Sequence, residues 1–294
     1  MKKNALVLFT IIMLLLHGCT QKEVVTDIAA TTLPVYEFTA RICEGTDLTV
    51  SQLIVENVSC LHDYSLQVRQ MRAIEGAEVT ILSGAGLEEF MEDAFQSAGC
   101  IIDASEGIPF LCASHVHGDE VHHEHSEHEH SDPHIWLSPA NARIMADNIC
   151  RGLCSKYPIY AEIFRNNLSA LIQDLNALEN YGKSKLSNLG SREIITFHDG
   201  FAYLCEAYDL ELLESVEEEA GSEPSASEII RLTQIINNNR ISAIFTEKNG
   251  STAAAQIISA ETKIPCYELD MALSGYSYFD AMYRNFDTLW EALK

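Results

Sequence analysis

Two runs of alternating strand and helix signals, separated by one long amphipathic helix, constrain this chain more than any other feature. In the first run the short apolar segments "VVTDIAA", "LTVSQLIV", "EVTILSG" and "CIIDA" alternate with the helical patterns "PVYEFTARICEG", "SLQVRQMRAIEGA" and "LEEFMEDAFQSAG". Strand, helix, strand in repeated succession calls for a parallel sheet covered by helices. The second run repeats the alternation with "REIITF", "GFAYLCEAY", "LELLESV", "SASEIIRLTQIINNN", "ISAIFT", "STAAAQIISAET", "PCYEL" and a last helix near Tyr278 to Leu293. Ser225 and Glu228 have the S-x-x-E spacing of a capping box, which fixes one helix start. The expected fold class is α/β: two lobes, each a parallel sheet flanked by helices, joined by one long rigid helix, with the ligand site in the cleft between them.

The joint between the runs is legible in the same way. "SPANARIMADNICRGLCSKYP" reads as a helix with Ser138 as N-cap and Pro139 at its first position, and Pro158 marks a boundary. In "IYAEIFRNNLSALIQDLNALENYGKSKL", Phe164, Leu168, Leu171, Leu175 and Leu178 recur at spacings of four and three, giving one continuous apolar stripe. Too few heptads follow one another for a coiled-coil seam, so the stripe is read as a spine between lobes. The partition is then a leader over 1–18, an N-terminal lobe over 19–157, a connecting helix over 158–187 and a C-terminal lobe over 188–294. No fixed-period repeat is present, which excludes a solenoid.

The leader "MKKNALVLFTIIMLLLHGC" has a basic start at Lys2 and Lys3 and an apolar run too short to span a bilayer comfortably. The small residue before Cys19 resembles the lipobox of bacterial lipoproteins. That resemblance implies cleavage before Cys19, acylation there, and a tethered, extracytoplasmic protein that does not span the membrane. The formal net charge of -24 becomes more negative once Lys2 and Lys3 leave with the leader, repelling nucleic acid and attracting cations. Eight further cysteines, Cys43, Cys60, Cys100, Cys112, Cys150, Cys154, Cys205 and Cys266, contain no C-x-x-C, so neither a zinc ribbon nor a thioredoxin motif exists. Most sit in apolar runs and are read as buried thiols in preference to disulfides.

The histidines fall into two groups. "HVHGDEVHHEHSEHEH" carries His115, His117, His122, His123, His125, His128 and His130 among acidic residues. This loop over 115–131 has almost nothing apolar to bury and is read as an auxiliary, weak metal-binding segment, disordered without metal. Outside it and the leader stand only His62, His134 and His198. His62 follows the run ending in Val55, His198 directly follows "IITF", and Asp270 directly follows "CYEL". Loops at the carboxyl ends of parallel strands line the ligand crevice, and two facing lobes bring such ends together. His134 lies between Pro133 and Ile135-Trp136-Leu137, a rigid and partly buried context. Three imidazoles and a carboxylate make a tetrahedral zinc-type set, although an isolated histidine at a strand end is more often a satisfied polar group than a ligand and Asp270 could equally cap the turn after its strand.

At this point the residues resemble the zinc and manganese solute-binding proteins of bacterial ABC importers. "DPHIWLSP", "FHDGFAYL", "EPSASEI" and "LDMALSG" are similar, in order, to the motifs of that family, and "NVSCLHDYSLQVRQMRAIEGAEVTILSGAGLEEF" follows the region of its first histidine ligand. The resemblance implies metal ligands at His62, His134, His198 and Asp270, a cleft between two lobes, and delivery to a permease in the membrane by a monomeric carrier. Leu61 and Met271 stand where prolines commonly flank the first histidine and the aspartate, which implies looser loops there. Imidazole at position 198, where manganese-type relatives tend to carry a carboxylate, points to Zn2+ ahead of Mn2+.

Competing classes are a manganese carrier of the same family, a zinc hydrolase, and a metal-buffering surface adhesin. The hydrolase lacks H-E-x-x-H, H-x-x-E-H and G-x-S-x-G, and only Glu247 or Asp199 offers a nominal base. The reading is a carrier and not an enzyme.

Overall fold

The computed structural model describes residues 26–58, 61, 64–111, 132–217 and 225–294. The leader with Cys19, the thiols of Cys60 and Cys112, His62 and the histidine tract lie outside the described residues.

The first lobe holds β1 (Ile28–Ala30), α1 (Leu33–Ile42), β2 (Val50–Gln52), α2 (Val68–Gly76), β3 (Val79–Leu82), α3 (Glu92–Phe95) and β4 (Cys100–Asp103). All its ladders are parallel, in the order β2-β1-β3-β4. The second lobe holds β5 (Glu193–His198), α6 (Ala202–Ala207), β6 (Glu211–Glu217), α7 (Ala226–Asn239), β7 (Ile244–Glu247), α8 (Ala253–Thr262), β8 (Cys266–Leu269) and α9 (Tyr278–Leu293), with the sheet order β6-β5-β7-β8. In each sheet the chain steps one way from its first strand and then the other way. The reversal falls between β1 and β3 in one lobe and between β5 and β7 in the other, and such a switch point opens a crevice at the strands' carboxyl ends.

Between the lobes run α4 (Pro139–Lys156), a 3-10 turn at Pro158–Tyr160, and α5 (Ala161–Lys185). Of the apolar stripe of α5, Phe164, Leu171, Leu175 and Leu178 are fully buried, each contributing about 1.5–3 kcal/mol, and Leu168 is half-buried against the same core. The capping box at Ser225 forms, with Glu228 N donating to Ser225 Oγ (3.3 Å) and Ser225 N to Glu228 Oε2 (2.6 Å). Ser138 occupies the N-cap position of α4, but its side chain makes no cap hydrogen bond; Pro139 alone presets the first turn. The helix expected over "LEEFMEDAFQSAG" shrinks to a 3-10 turn, Glu89–Met91, and the single turn of α3. Glu88 is the reason, because its carboxylate turns inward to accept from Ser83 N (2.8 Å), Gly84 N (3.0 Å) and Thr31 Oγ1 (2.6 Å) and so staples the preceding loop.

One apolar cluster runs through both lobes and the helices between them, and a second, smaller one lies under α7 and α8. The lobes also share polar ties. Leu33 N donates to Leu273 O (3.0 Å), Trp136 Nε1 to Met271 O (2.8 Å) and Tyr278 Oη to Trp136 O (2.9 Å). Tyr278 stacks edge-on against Phe38 at 5.1 Å. The described cysteines, Cys43, Cys100, Cys150, Cys154, Cys205 and Cys266, are free thiols, half of them buried. Among the described residues no helix is long and apolar enough to cross a membrane.

Candidate metal centre

The segment Asp132-Pro133-His134 folds back on itself. Asp132 Oδ1 accepts the His134 backbone N–H (2.9 Å) and also faces His134 Nδ1 at 2.8 Å. A buried carboxylate in that position holds the proton on Nδ1, fixes the ring plane and leaves the Nε2 lone pair as the outward donor. His134 Nε2 is buried and has no hydrogen-bond partner among the described residues. A buried nitrogen of this kind is costly unless something occupies it, and a cation fits its chemistry. Trp136 packs edge-on to the same ring at 5.4 Å, and its indole bond to Met271 O ties the segment to the second lobe.

His198 is the last residue of β5 and fully buried. Its ring meets that of His134 edge-on, with centroids 5.3 Å apart. Gly200 makes this meeting possible: a Cβ there would stand 2.8 Å from His134 Nδ1 and 2.5 Å from the Met271 methyl. The structure therefore brings the rings of His134 and His198 together across the two lobes. His62 lies outside the described residues; its neighbour Leu61 is buried in the core and accepts from Tyr64 N (3.0 Å). Among the described residues no three His, Cys, Asp or Glu side chains gather closely enough to hold an ion.

Asp270 follows β8 at the cleft side, but its carboxylate is engaged elsewhere. Oδ2 is paired with Lys248 Nζ at 2.8 Å and Arg284 at 3.5 Å, and Oδ1 accepts Ala272 N at 2.9 Å. The loop is not slack for want of a proline. Asn285 clamps Asp270 on both backbone groups, receiving from its N (2.8 Å) and donating to its O (2.7 Å).

Three further residues stand out in this region, and the sequence reading left them out of the ligand set. Asp132 orients His134, Gly200 clears space for it, and Glu247 ends β7 beside the crevice. Glu247 is 1% exposed, and neither carboxylate oxygen reaches a hydrogen-bond donor of another described residue. Burial pushes its carboxyl above the usual range. The signal that finds it is strand length: "IFTE" runs two residues past the apolar "ISAIF", to a strand end.

A crystal structure of ZnuA superposes on this chain with a TM-score of 0.77 at 25% identity, covering 91% of this chain and 99% of the other. The Zn(II)-bound ZnuA-like domain of Streptococcus pneumoniae AdcA superposes with a TM-score of 0.75 at 25% identity over 90% and 98%. In sequence, the zinc-binding lipoprotein AdcA of Streptococcus pneumoniae serotype 4 is 28% identical across 98% of this chain, which spans 60% of AdcA's own length. Residues 28–292 match the family described as ZnuA, zinc-uptake complex component A, periplasmic, and the chain belongs to that family.

Proposed function

We propose that this protein captures Zn2+ outside the cytoplasm and delivers it to the permease of an ABC importer, acting as a carrier and not a catalyst. The observation that carries the reading is the buried pair His134 and His198, drawn from the two lobes, with Asp132 presenting the His134 Nε2 lone pair. His62 supplies the third imidazole, and a carboxylate or water completes the set. A nitrogen-rich, dry site suits Zn2+, whereas Mn2+ favours oxygen donors. The tract of His115 to His130 gathers further ions weakly, and acylated Cys19 holds the carrier at the outer face of a membrane.

Titration calorimetry with Zn2+ and Mn2+ tests this on the parent, His134→Ala, His198→Ala and a variant lacking 115–130. The expected result is one tight Zn2+ site that survives loss of the tract and weakens at least hundredfold in either histidine variant, beyond the 10–100-fold typical of an outer-shell loss. Retention of the tight site without His198, or a preference for Mn2+ in the parent, refutes the reading.

A further inference from the structure

We propose that Cys150 and Cys154 form a dithiolate site for a soft, thiophilic cation of the Cu+ class, built into the connecting helices and separate from the imidazole centre.

The four-residue spacing in "NICRGLC" places the two side chains one turn apart on the same face of α4. Their sulfurs stand 3.9 Å apart, and Cys154 Sγ lies 3.8 Å from Ala161 O, at the start of α5. The other face of α4 is pinned. Asn148 Nδ2 donates to Ala104 O and Glu106 O, both at 2.8 Å, and Gly152 sits so close to β4 that a Cβ there would stand 2.6 Å from Ile102 Cδ1. Positions 148 and 152 lie about 200° around the helix from 150 and 154, so the contacts that hold α4 leave the thiols turned toward the elbow with α5. Cys150 is buried and Cys154 half-buried, which leaves the pair approachable from the Cys154 side.

Geometry decides what such a pair can do. A disulfide needs sulfurs about 2.05 Å apart and Cβ atoms about 3.5–4.5 Å apart, whereas Cβ atoms four residues apart on a helix are separated by about 5–6 Å. Closing that bond would distort a helix fixed at Asn148 and Gly152. An ion between the sulfurs requires no such movement: two bonds of about 2.3 Å spanning 3.9 Å meet at about 115°, between the tetrahedral and trigonal angles. Thiolate is a soft donor and selects Cu+ or Zn2+ over harder ions. Ligand number then separates those two. Zn2+ asks for four ligands, and among the described residues no third Cys, His, Asp or Glu side chain joins the pair, whereas Cu+ is satisfied by two thiolates alone or with one donor from solvent.

Binding breaks two S–H bonds, forms two Cu–S bonds and releases two protons to solvent. Burial, and after it the neighbouring Cys154 thiol, push Cys150 up to about 12, so without an ion it stays protonated and unreactive. The filled site carries one net negative charge, which Arg165 offsets and Asp147 opposes. Along the helix axis the pair lies about 16–23 Å from Pro139, where α4 leaves the His134 segment, so the two centres fill independently.

The test is an anaerobic titration of the reduced protein with Cu+ against a chromophoric Cu+ chelator, with Zn2+ in excess to occupy the imidazoles. The parent, Cys154→Ser, Cys150→Ala and, as a control thiol, Cys266→Ser are compared. The parent should bind one Cu+, and copper X-ray absorption should place sulfur neighbours at about 2.3 Å. Cys154→Ser and Cys150→Ala should each weaken Cu+ binding at least about 100-fold, beyond the 10–100-fold typical of an outer-shell loss, while Cys266→Ser leaves it unchanged and all three keep parental Zn2+ binding. Parental Cu+ affinity in Cys154→Ser, an equal loss in Cys266→Ser, or a copper surrounded by nitrogen alone overturns the proposal. Recovery of a Cys150–Cys154 disulfide from the native protein by peptide mass spectrometry overturns it as well. If Cys150→Ala does not fold, Cys154→Ser, at the half-buried position, decides alone.

Discussion

Replacing Gly200 by alanine adds one methyl group at the point where the lobes meet, and the structure fixes what that methyl encounters. It would lie 2.5 Å from the Met271 methyl and 2.8 Å from His134 Nδ1, against a normal contact of about 3.5–4.0 Å. The Met271 methyl is the end of a flexible chain and yields about 1 Å at little cost. The His134 ring is not free to yield, because Asp132 holds it at Nδ1 and at its backbone N–H while Trp136 and His198 pack on its faces and edges. The ring must shift by roughly 0.7 Å or the backbone at Gly200 must retreat, and overpacking of this kind costs about 1–3 kcal/mol. In a chain of this size that corresponds to a fall in thermal midpoint of about 2–10 °C. Zinc affinity should fall by about 10-fold, since the donor lone pair moves with the ring. Adding Met271→Ala should recover part of the stability and little of the affinity. Thermal unfolding of the metal-free protein and chelator competition read the two quantities. A Gly200→Ala protein within 0.5 kcal/mol of the parent and with parental affinity would refute the argument that His134 is held rigidly against position 200.

Cys19→Ala should move the protein from the membrane fraction to the soluble fraction and abolish lipid labelling; unchanged labelling would exclude Cys19 as the acylation site. Asp132→Asn keeps an acceptor but removes the charge that orients His134, and should weaken zinc binding 10–100-fold in calorimetry with little change in the fold. Glu88 is enclosed, and burial pushes its carboxyl up to about 7 although three donors act against the rise. Between the ordinary carboxyl value of 4.5 and about 7 the folded state therefore keeps a proton that the unfolded state has released, so this group's contribution to stability is present at low pH and is lost as pH rises through that window. The stability difference between the parent and Glu88→Gln should shift by about 3 kcal/mol between pH 4.5 and 7.5 in denaturant titrations, and a constant difference would refute it.

Much of the fold was legible before any coordinates because its signals are local. Strand length, helical period and the Ser225 box depend on neighbours a few residues away, and the stripe from Phe164 to Leu178 declares its buried face by spacing alone. The helix over "LEEFMEDAFQSAG" is shorter than its pattern predicts for the opposite reason, since Glu88 is recruited by Thr31, 57 residues away. Within the site, His134 and His198 could be picked out as candidates, because histidine is scarce outside the tract and both follow recognisable signals. That they touch, edge to face with centroids 5.3 Å apart, is a property of two lobes meeting and of the space that Gly200 leaves. The carboxylates show the limit most clearly. Asp270 and Glu247 both stand at strand ends and are alike as sequence. Only the tertiary structure gives Asp270 the partners Lys248 and Arg284 and leaves Glu247 enclosed at the switch point, because strand order and side-chain pairing are long-range and electrostatic neutralisation depends on which charges the packing brings within a few ångströms.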